Sequence, residues 1–234
     1  MVASPLDYQS QHIEPEPISD EAVALANAVA AAGRFRAAPS GTVFCQGKPL
    51  FRIQLARDLG CLLDVDPDVE GWECLLCAVP VPRSGSDPRF HVPDFRVFKA
   101  DGGTTLLDAV PLMAASSKLR YPQGDEVGAE VYRRVDEAEI RAEPKLSNAK
   151  ELLRYAGVEV PLSERIQFLT MLDESGPTPL SECLRGCRSR TDPIAMIAAL
   201  TLRRFISMDI DEAPIGSETT RIAEFHIAPD AQRR

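Results

Sequence analysis

The chain has 234 residues, 44% of them hydrophobic, which is enough for a real core in one large domain or two small ones. Its net charge of −9 argues against a broad basic surface for nucleic acid but leaves a small local patch or a partner open, because affinity for phosphates comes mainly from clustered lysine and arginine. We find no apolar run of roughly 20 residues and no basic-then-apolar leader, and we therefore expect a cytoplasmic protein with no membrane partner.

Residues 1–48 are predicted to form a tail followed by one helix. Three prolines and few hydrophobic residues precede Ser19, which is typical of a loosely held segment. Ser19 and Asp20 can cap an alanine-rich helix from Glu21 to about Gly33. This helix could pack on the core or on a partner, and the sequence leaves both open.

Residues 49–156 are predicted to form an α/β domain around a mixed sheet. Apolar residues at helical spacing indicate a helix over 50–63, which ends before Asp66-Pro67. A hairpin is predicted around Asp101-Gly102-Gly103, since glycine tolerates positive φ. The expected strands span 72–81, 90–98, 104–110 and 130–135, and the further helices 111–119, 138–141 and 146–155.

Residues 157–227 are predicted to form a small helical domain of winged-helix type, before a tail at 228–234. Its expected helices span 163–174, 179–186 and 192–207, with Asp192 as a cap and Pro193 in the first turn of the third. The segment 210–225, interrupted by a Pro-Ile-Gly sequence, is predicted to be a two-stranded wing.

Asp94 and Asp108 are the candidate catalytic residues and the candidate metal ligands. The predicted hairpin pairs residue 94 with a residue near 109, so the two carboxylates would lie side by side. Carboxylate oxygens hold Mg²⁺, which can polarise a phosphate and generate an attacking hydroxide. Aspartates at strand ends are also common without any catalytic role, and spacing alone does not separate the two interpretations.

Three stretches in order resemble the TnsA-type endonucleases of heteromeric transposases, which have a PD-(D/E)xK nuclease fold. They are Ala56 to Val69, His91-Val92-Pro93-Asp94-Phe95, and Glu139 to Asn148. The resemblance covers about residues 49–156 and implies a restriction-endonuclease-like sheet with flanking helices. It also implies a role in DNA transposition or recombination, with DNA and a transposase-like protein as partners.

The resemblance further implies a site made of a glutamate, an aspartate, a polar residue and a lysine. These positions fall on Ala56, Asp94, Asp108 and Val110, so two of the four functional groups are absent. Losing one electrostatic group typically lowers the rate by about 10²- to 10³-fold. We therefore expect little or no cleavage by a weakened or inactive module; if the protein is active, its cofactor is Mg²⁺, and otherwise it needs none.

Two alternatives stay open. In the first, the chain is an active Mg²⁺-dependent endonuclease with a relocated lysine, for which Lys99 and Lys118 are candidates, while Glu73 could replace the missing glutamate. In the second, it is a winged-helix regulator or a protein-interaction module. Lys99 and Lys118 are more readily explained as solvated surface residues.

Arg185, Arg188 and Arg190 form the compact basic cluster and are the candidate DNA-binding residues. Their other interpretation is a solvated loop with charges at a helix C-terminus. The following helix is apolar on nearly every face, which predicts that it is buried or contacts a partner. Cys74 and Cys77 have the spacing of a zinc knuckle without a second pair, so free apolar thiols are predicted for the six cysteines.

Overall fold

Residues 19–34, 41–81, 89–112, 126–127, 130–187, 190–216 and 220–225 are described by a computed structural model of the chain. Lys118, Arg188 and both tails lie outside these ranges. Most of the predicted helix at 111–119 also lies outside them. The first elements are α1 (Asp20–Arg34), α2 (Gln54–Val65), β1 (Val69–Cys74), β2 (Val79–Val81), β3 (Arg89–His91), β4 (Phe95–Lys99) and β5 (Thr104–Val110). They are followed by β6 (Glu126–Val127), β7 (Glu130–Asp136), α3 (Glu137–Ile140) and α4 (Lys145–Leu153).

The main sheet has five strands in the order β1-β4-β5-β7-β6. Strands β5 and β7 are parallel, and the other neighbours are antiparallel, which confirms the predicted α/β organisation around a mixed sheet. Two predicted strands are each split. The one at 72–81 becomes β1 and β2, and the one at 90–98 is interrupted at Val92–Asp94, where Pro93 has no N–H for a ladder.

Helix α2 covers one face of this sheet. Leu55, Leu59 and Leu63 repeat every four residues and are buried, as the periodicity predicted. Below them lie Trp72 and Phe95, whose rings meet edge to face with centroids 5.5 Å apart. This face therefore carries the aromatic centre of the core.

The other face of the sheet is covered by the β2-β3 ribbon. Leu106 and Tyr132 are fully buried there against Val79 of the ribbon. Helix α1 contacts β3 and places Ala28 and Ala32 in a separate small cluster. The N-terminal helix thus packs on the core of its own chain, one of the two options that the sequence left open.

The C-terminal unit follows in the order helix, strand, helix, helix, strand, strand. Its elements are α5 (Leu162–Ser175), β8 (Thr178–Pro179), α6 (Leu180–Gly186), α7 (Pro193–Leu202), β9 (Ile206–Met208) and β10 (Arg221–Glu224). The strands form a sheet in the order β8-β10-β9. The third helix ends at Leu202 instead of 207, because Arg204 takes a positive φ of 57° and reverses the chain into β9.

Helix α7 joins the two parts of the chain. Seven of its ten residues are buried. Met196, Ile197 and Leu200 pack inside the C-terminal unit, whereas Ala198 and Leu202 pack against α4 and Cys61 of α2. The apolar helix predicted to be buried is therefore buried within its own chain.

Candidate functional site

The two candidate aspartates meet where β4 begins and β5 runs beside it. The register pairs Phe95 with Leu107, so residue 94 lies opposite residue 108. The backbone N–H of Asp94 donates to Oδ1 of Asp108 at 3.1 Å, and that of Ala109 donates to Oδ2 of Asp94 at 3.0 Å. Their predicted adjacency is confirmed, and both side chains are buried.

Arg52, just ahead of α2, bridges the two carboxylates. Its Nε donates to Oδ1 of Asp94 at 2.8 Å, and its Nη2 lies 2.7 Å from the same oxygen. The same Nη2 lies 3.2 Å from Oδ1 of Asp108. One guanidinium therefore provides the positive charge shared by both aspartates.

His91 and Tyr132 complete the cluster from the β2-β3 ribbon and from β7. The hydroxyl of Tyr132 donates to Oδ2 of Asp108 at 2.6 Å, and Nε2 of His91 lies 2.5 Å from that oxygen. With Arg52 and the Asp94 backbone N–H on Oδ1, each oxygen of Asp108 has two partners. A carboxylate offers about four lone-pair sites, so Asp108 is fully satisfied.

The pKa of the Asp94 carboxyl is raised in this buried cluster. Burial is the main cause and lifts the pKa from 3.8 to about 6. Arg52 lowers it, while the neighbouring charge of Asp108 raises it. Ionised Asp94 is therefore held at an energetic cost near neutral pH.

The residues present do not fit a Mg²⁺ ion. Magnesium takes about six oxygen ligands at roughly 2.1 Å, and Asp108 has no free acceptor site in this arrangement. The guanidinium of Arg52 lies between the two carboxylates, where a bridging ion would have to bind.

Ala56 and Val110 stand where the resemblance implies a glutamate and a lysine, and neither side chain can bind a metal ion. Val110 is buried on β5, two residues beyond Asp108. Ala56 packs with Ala109 in the cluster beneath α2, whereas Asp108 lies on the other face of the sheet, because adjacent strand residues point to opposite faces.

The candidate replacements lie elsewhere. Lys99 is exposed at the far end of β4, opposite Val69. Glu73 is half-buried on β1 and pairs in register with Arg96. Among the described residues, the ion pairs of both aspartates are formed by Arg52 and His91. The cation is thus a guanidinium and not the ammonium that a relocated lysine would supply.

Asp58 and Asn148, which belong to the stretches that carry the resemblance, have structural roles. Asp58 on α2 is buried and lies 2.7 Å from Nζ of Lys150 on α4. Asn148 on α4 donates to the carbonyls of Ile210 and Ala213 at 2.9 and 2.8 Å, and its Oδ1 accepts from the N–H of Ile215. Both residues hold α4 in place.

The candidate DNA-binding cluster is described at two of its three positions. Arg185 is exposed at the end of α6, where its Nε donates to the carbonyl of Ser181 at 3.3 Å. Arg190 is exposed, and its backbone N–H donates to Glu164. Both guanidinium groups are open to solvent, which suits either interpretation of the cluster.

Sequence reasoning missed Arg52 and Tyr132 and gave His91 no role. Arg52 reaches partners 42 and 56 residues away, and no local pattern indicates such a contact. His91 had a usable signal, because it lies in the same Pro-Asp stretch as Asp94.

In the part of the chain that the structure describes, no helix is both long and apolar enough to cross a bilayer. Comparison with known proteins gave no match, either to a protein-family model or to a curated protein sequence.

Proposed function

We propose that this chain is a nuclease-fold module of DNA transposition or recombination that binds DNA or a transposase-like partner and does not cut DNA itself. The mixed sheet, the helix packed on it and the Pro93-Asp94 corner beside Asp108 support a restriction-endonuclease-like core. The order of elements in the C-terminal unit supports a winged-helix-like domain.

The observation that carries the loss of cutting is the bridge from Arg52 to both carboxylates. A guanidinium stays protonated throughout the physiological pH range, so it can neither act as a base nor generate a hydroxide as a metal ion does. It does neutralise charge and hold the carboxylates in place. The former cutting site then serves to fix the corner between β4 and β5.

In the proposed winged-helix-like domain, α7 would be the helix that reads DNA, and its burial against α4 would keep it out of a groove. DNA contact by this unit would therefore involve backbone phosphates and the exposed Arg185 and Arg190. Such contacts carry little sequence information, so target choice would come from the partner.

A plasmid-nicking assay tests the loss of cutting. Supercoiled plasmid is incubated with the full chain and Mg²⁺ or Mn²⁺, in parallel with Asp94→Ala. We expect the two proteins to give the same background level of nicked circles. Nicking by the wild type that disappears in Asp94→Ala would overturn the proposal.

Fluorescence anisotropy with a labelled DNA duplex tests the binding role. We expect salt-dependent binding that weakens about 3- to 10-fold in Arg185→Ala with Arg190→Ala, because each lost phosphate contact lowers affinity and the salt slope. Arg154→Ala, which removes an exposed arginine directly after α4, is the matched control. Equal weakening in the control, or no binding by the wild type at low salt, would contradict DNA binding by this surface.

A further inference from the structure

Cys45 and Cys74 lie on neighbouring segments at the edge of the main sheet. The segment before α2 runs along β1, where the N–H of Gln46 donates to the carbonyl of Trp72 at 2.8 Å. The N–H of Trp72 in turn donates to the carbonyl of Phe44 at 3.1 Å. Cys45 is therefore bridged to Trp72 in the parallel sense.

This bridge places both cysteines on one face of the sheet. Cys45 lies opposite Trp72, and Cys74 is two residues further along β1, so its side chain points to the same face as Trp72. Both cysteines pack against the aromatic cluster beneath α2, and the largest cause of the pKa shift of each thiol is the side chain of the other. Both are free and half-buried, which leaves a small oxidant a route to them.

The two thiols are not equivalent. The hydrogen bond from Cys45 lowers the pKa of the Cys74 thiol, because it stabilises the Cys74 thiolate. The same contact, together with burial, raises the pKa of Cys45. Thiolates are the nucleophilic form of cysteine, so Cys74 is the thiol that reacts first.

We propose that Cys45 and Cys74 form a redox modification site that a peroxide converts to a disulfide. The Cys74 thiolate attacks one oxygen of hydrogen peroxide, which breaks the O–O bond, releases hydroxide and leaves a sulfenic acid. The sulfur of Cys45 then attacks the Cys74 sulfur and displaces the hydroxyl group as water. In sum, two thiols and one peroxide give one disulfide and two molecules of water.

The bond would tie the segment before α2 to the strand that leads into the carboxylate cluster. Cys74 is paired with Phe95, and the N–H of the next residue, Leu75, donates to the carbonyl of Asp94 at 3.2 Å. Oxidation would therefore fix one side of the corner that holds Asp94. The inference rests on the shared face and the shared cluster of the two cysteines and does not depend on whether the chain binds DNA.

Peroxide treatment of the native full chain tests the proposal. After a brief exposure and quenching, free thiols are alkylated in denaturant and the intact mass is measured. We expect four reactive thiols in place of six and a disulfide joining the Cys45 peptide to the Cys74 peptide. Failure of two thiols to disappear together would overturn the proposal.

Three variants assign the bond, because Cys61, Cys74 and Cys77 share one tryptic peptide. Cys74→Ser should lose the disulfide, and Cys45→Ser should leave a sulfenic acid on Cys74 that dimedone traps. Cys77→Ser is the matched control, since Cys77 is also half-buried, and it should oxidise as the wild type does. Loss of the disulfide in Cys77→Ser, or its persistence in Cys74→Ser, would contradict the assignment.

Discussion

Buried polar groups hold the chain together in two regions, and they do so in different ways. At the carboxylate cluster, Asp94 and Asp108 share one guanidinium, and burial raises the pKa of Asp94 in spite of it. At the junction with the C-terminal unit, the neutral amide of Asn148 makes three well-matched backbone hydrogen bonds. The first arrangement is costly at neutral pH, and the second is not.

We propose that the two regions have different origins. A fold that needed only stability would gain more from a neutral, matched group such as Asn148 than from two charges around one guanidinium. The presence of two carboxylates beside the single guanidinium of Arg52 is explained if the cluster derives from a site that used their negative charge. The comparison is consistent with the proposed loss of cutting, and four substitutions can break or sharpen it.

Asp108→Ala should have the largest effect. It removes a fully buried carboxylate and leaves Arg52, His91 and Tyr132 without their shared acceptor. We expect the free energy of unfolding to fall by about 3–5 kcal/mol. Urea denaturation measures this, with the exposed Asp68→Ala as control. A loss no larger than the control would mean that the cluster does not hold the sheet corner.

Asp94→Asn should change the pH dependence of stability. Asp94 has a pKa of about 6 when folded and 3.8 as its reference, so between these values the folded state binds more proton than the unfolded state. Stability contributed by this group is thus present at low pH and lost as pH rises from about 4 to 6. The loss amounts to about 3 kcal/mol at 1.36 kcal/mol per pKa unit.

The neutral asparagine cannot titrate, so the variant should lack this slope. Unfolding free energies measured from pH 4 to 7 for both proteins give the difference directly. Parallel profiles would contradict a raised pKa at Asp94.

Asn148→Ala tests the junction. The two carbonyls and one N–H that it satisfies lose their partner, and we expect a loss of about 2–3 kcal/mol. The loss should be independent of pH between 4 and 7, unlike that at Asp94. The exposed neighbour Ser147→Ala should be near neutral. Matching losses in the two variants would show that the amide contributes little.

Tyr132→Phe should have the smallest effect. It removes one hydroxyl, which donates to Oδ2 of Asp108 at 2.6 Å, and keeps the ring packing on Leu106. A hydrogen bond to a charged group contributes about 1.5–3 kcal/mol, and His91 still contacts the same oxygen, so we expect about 1.5 kcal/mol. Thermal unfolding by circular dichroism measures it. A loss as large as that of Asp108→Ala would show that Arg52, His91 and Tyr132 do not contribute separately to the stability of the cluster.

Much of the fold could be predicted from the sequence because it follows local rules. The leucine spacing in α2, the glycine turn between β4 and β5 and the proline at the start of α7 each act over a few residues. The hairpin also placed Asp94 beside Asp108. Where the prediction was wrong, as at the end of α7, a positive φ at Arg204 ended the helix without a glycine to signal it.

The content of the site could not be predicted in the same way. Arg52, His91 and Tyr132 come from three separate segments, and the folded chain alone brings them to Asp108. The pattern of Asp94 and Asp108 predicted a metal site, and nothing in the spacing indicated that an arginine would occupy it. The burial of both faces of α7 is likewise a tertiary effect.

The most direct test of the account is a titration of the protein with Mn²⁺ followed by electron paramagnetic resonance. Free Mn²⁺ gives a sharp signal that bound ions lose, so the number of bound ions can be counted. If Arg52 fills the position between the carboxylates, the wild type and Asp94→Asn bind the same small amount of Mn²⁺. A site in the wild type that binds one more ion than Asp94→Asn would contradict the account.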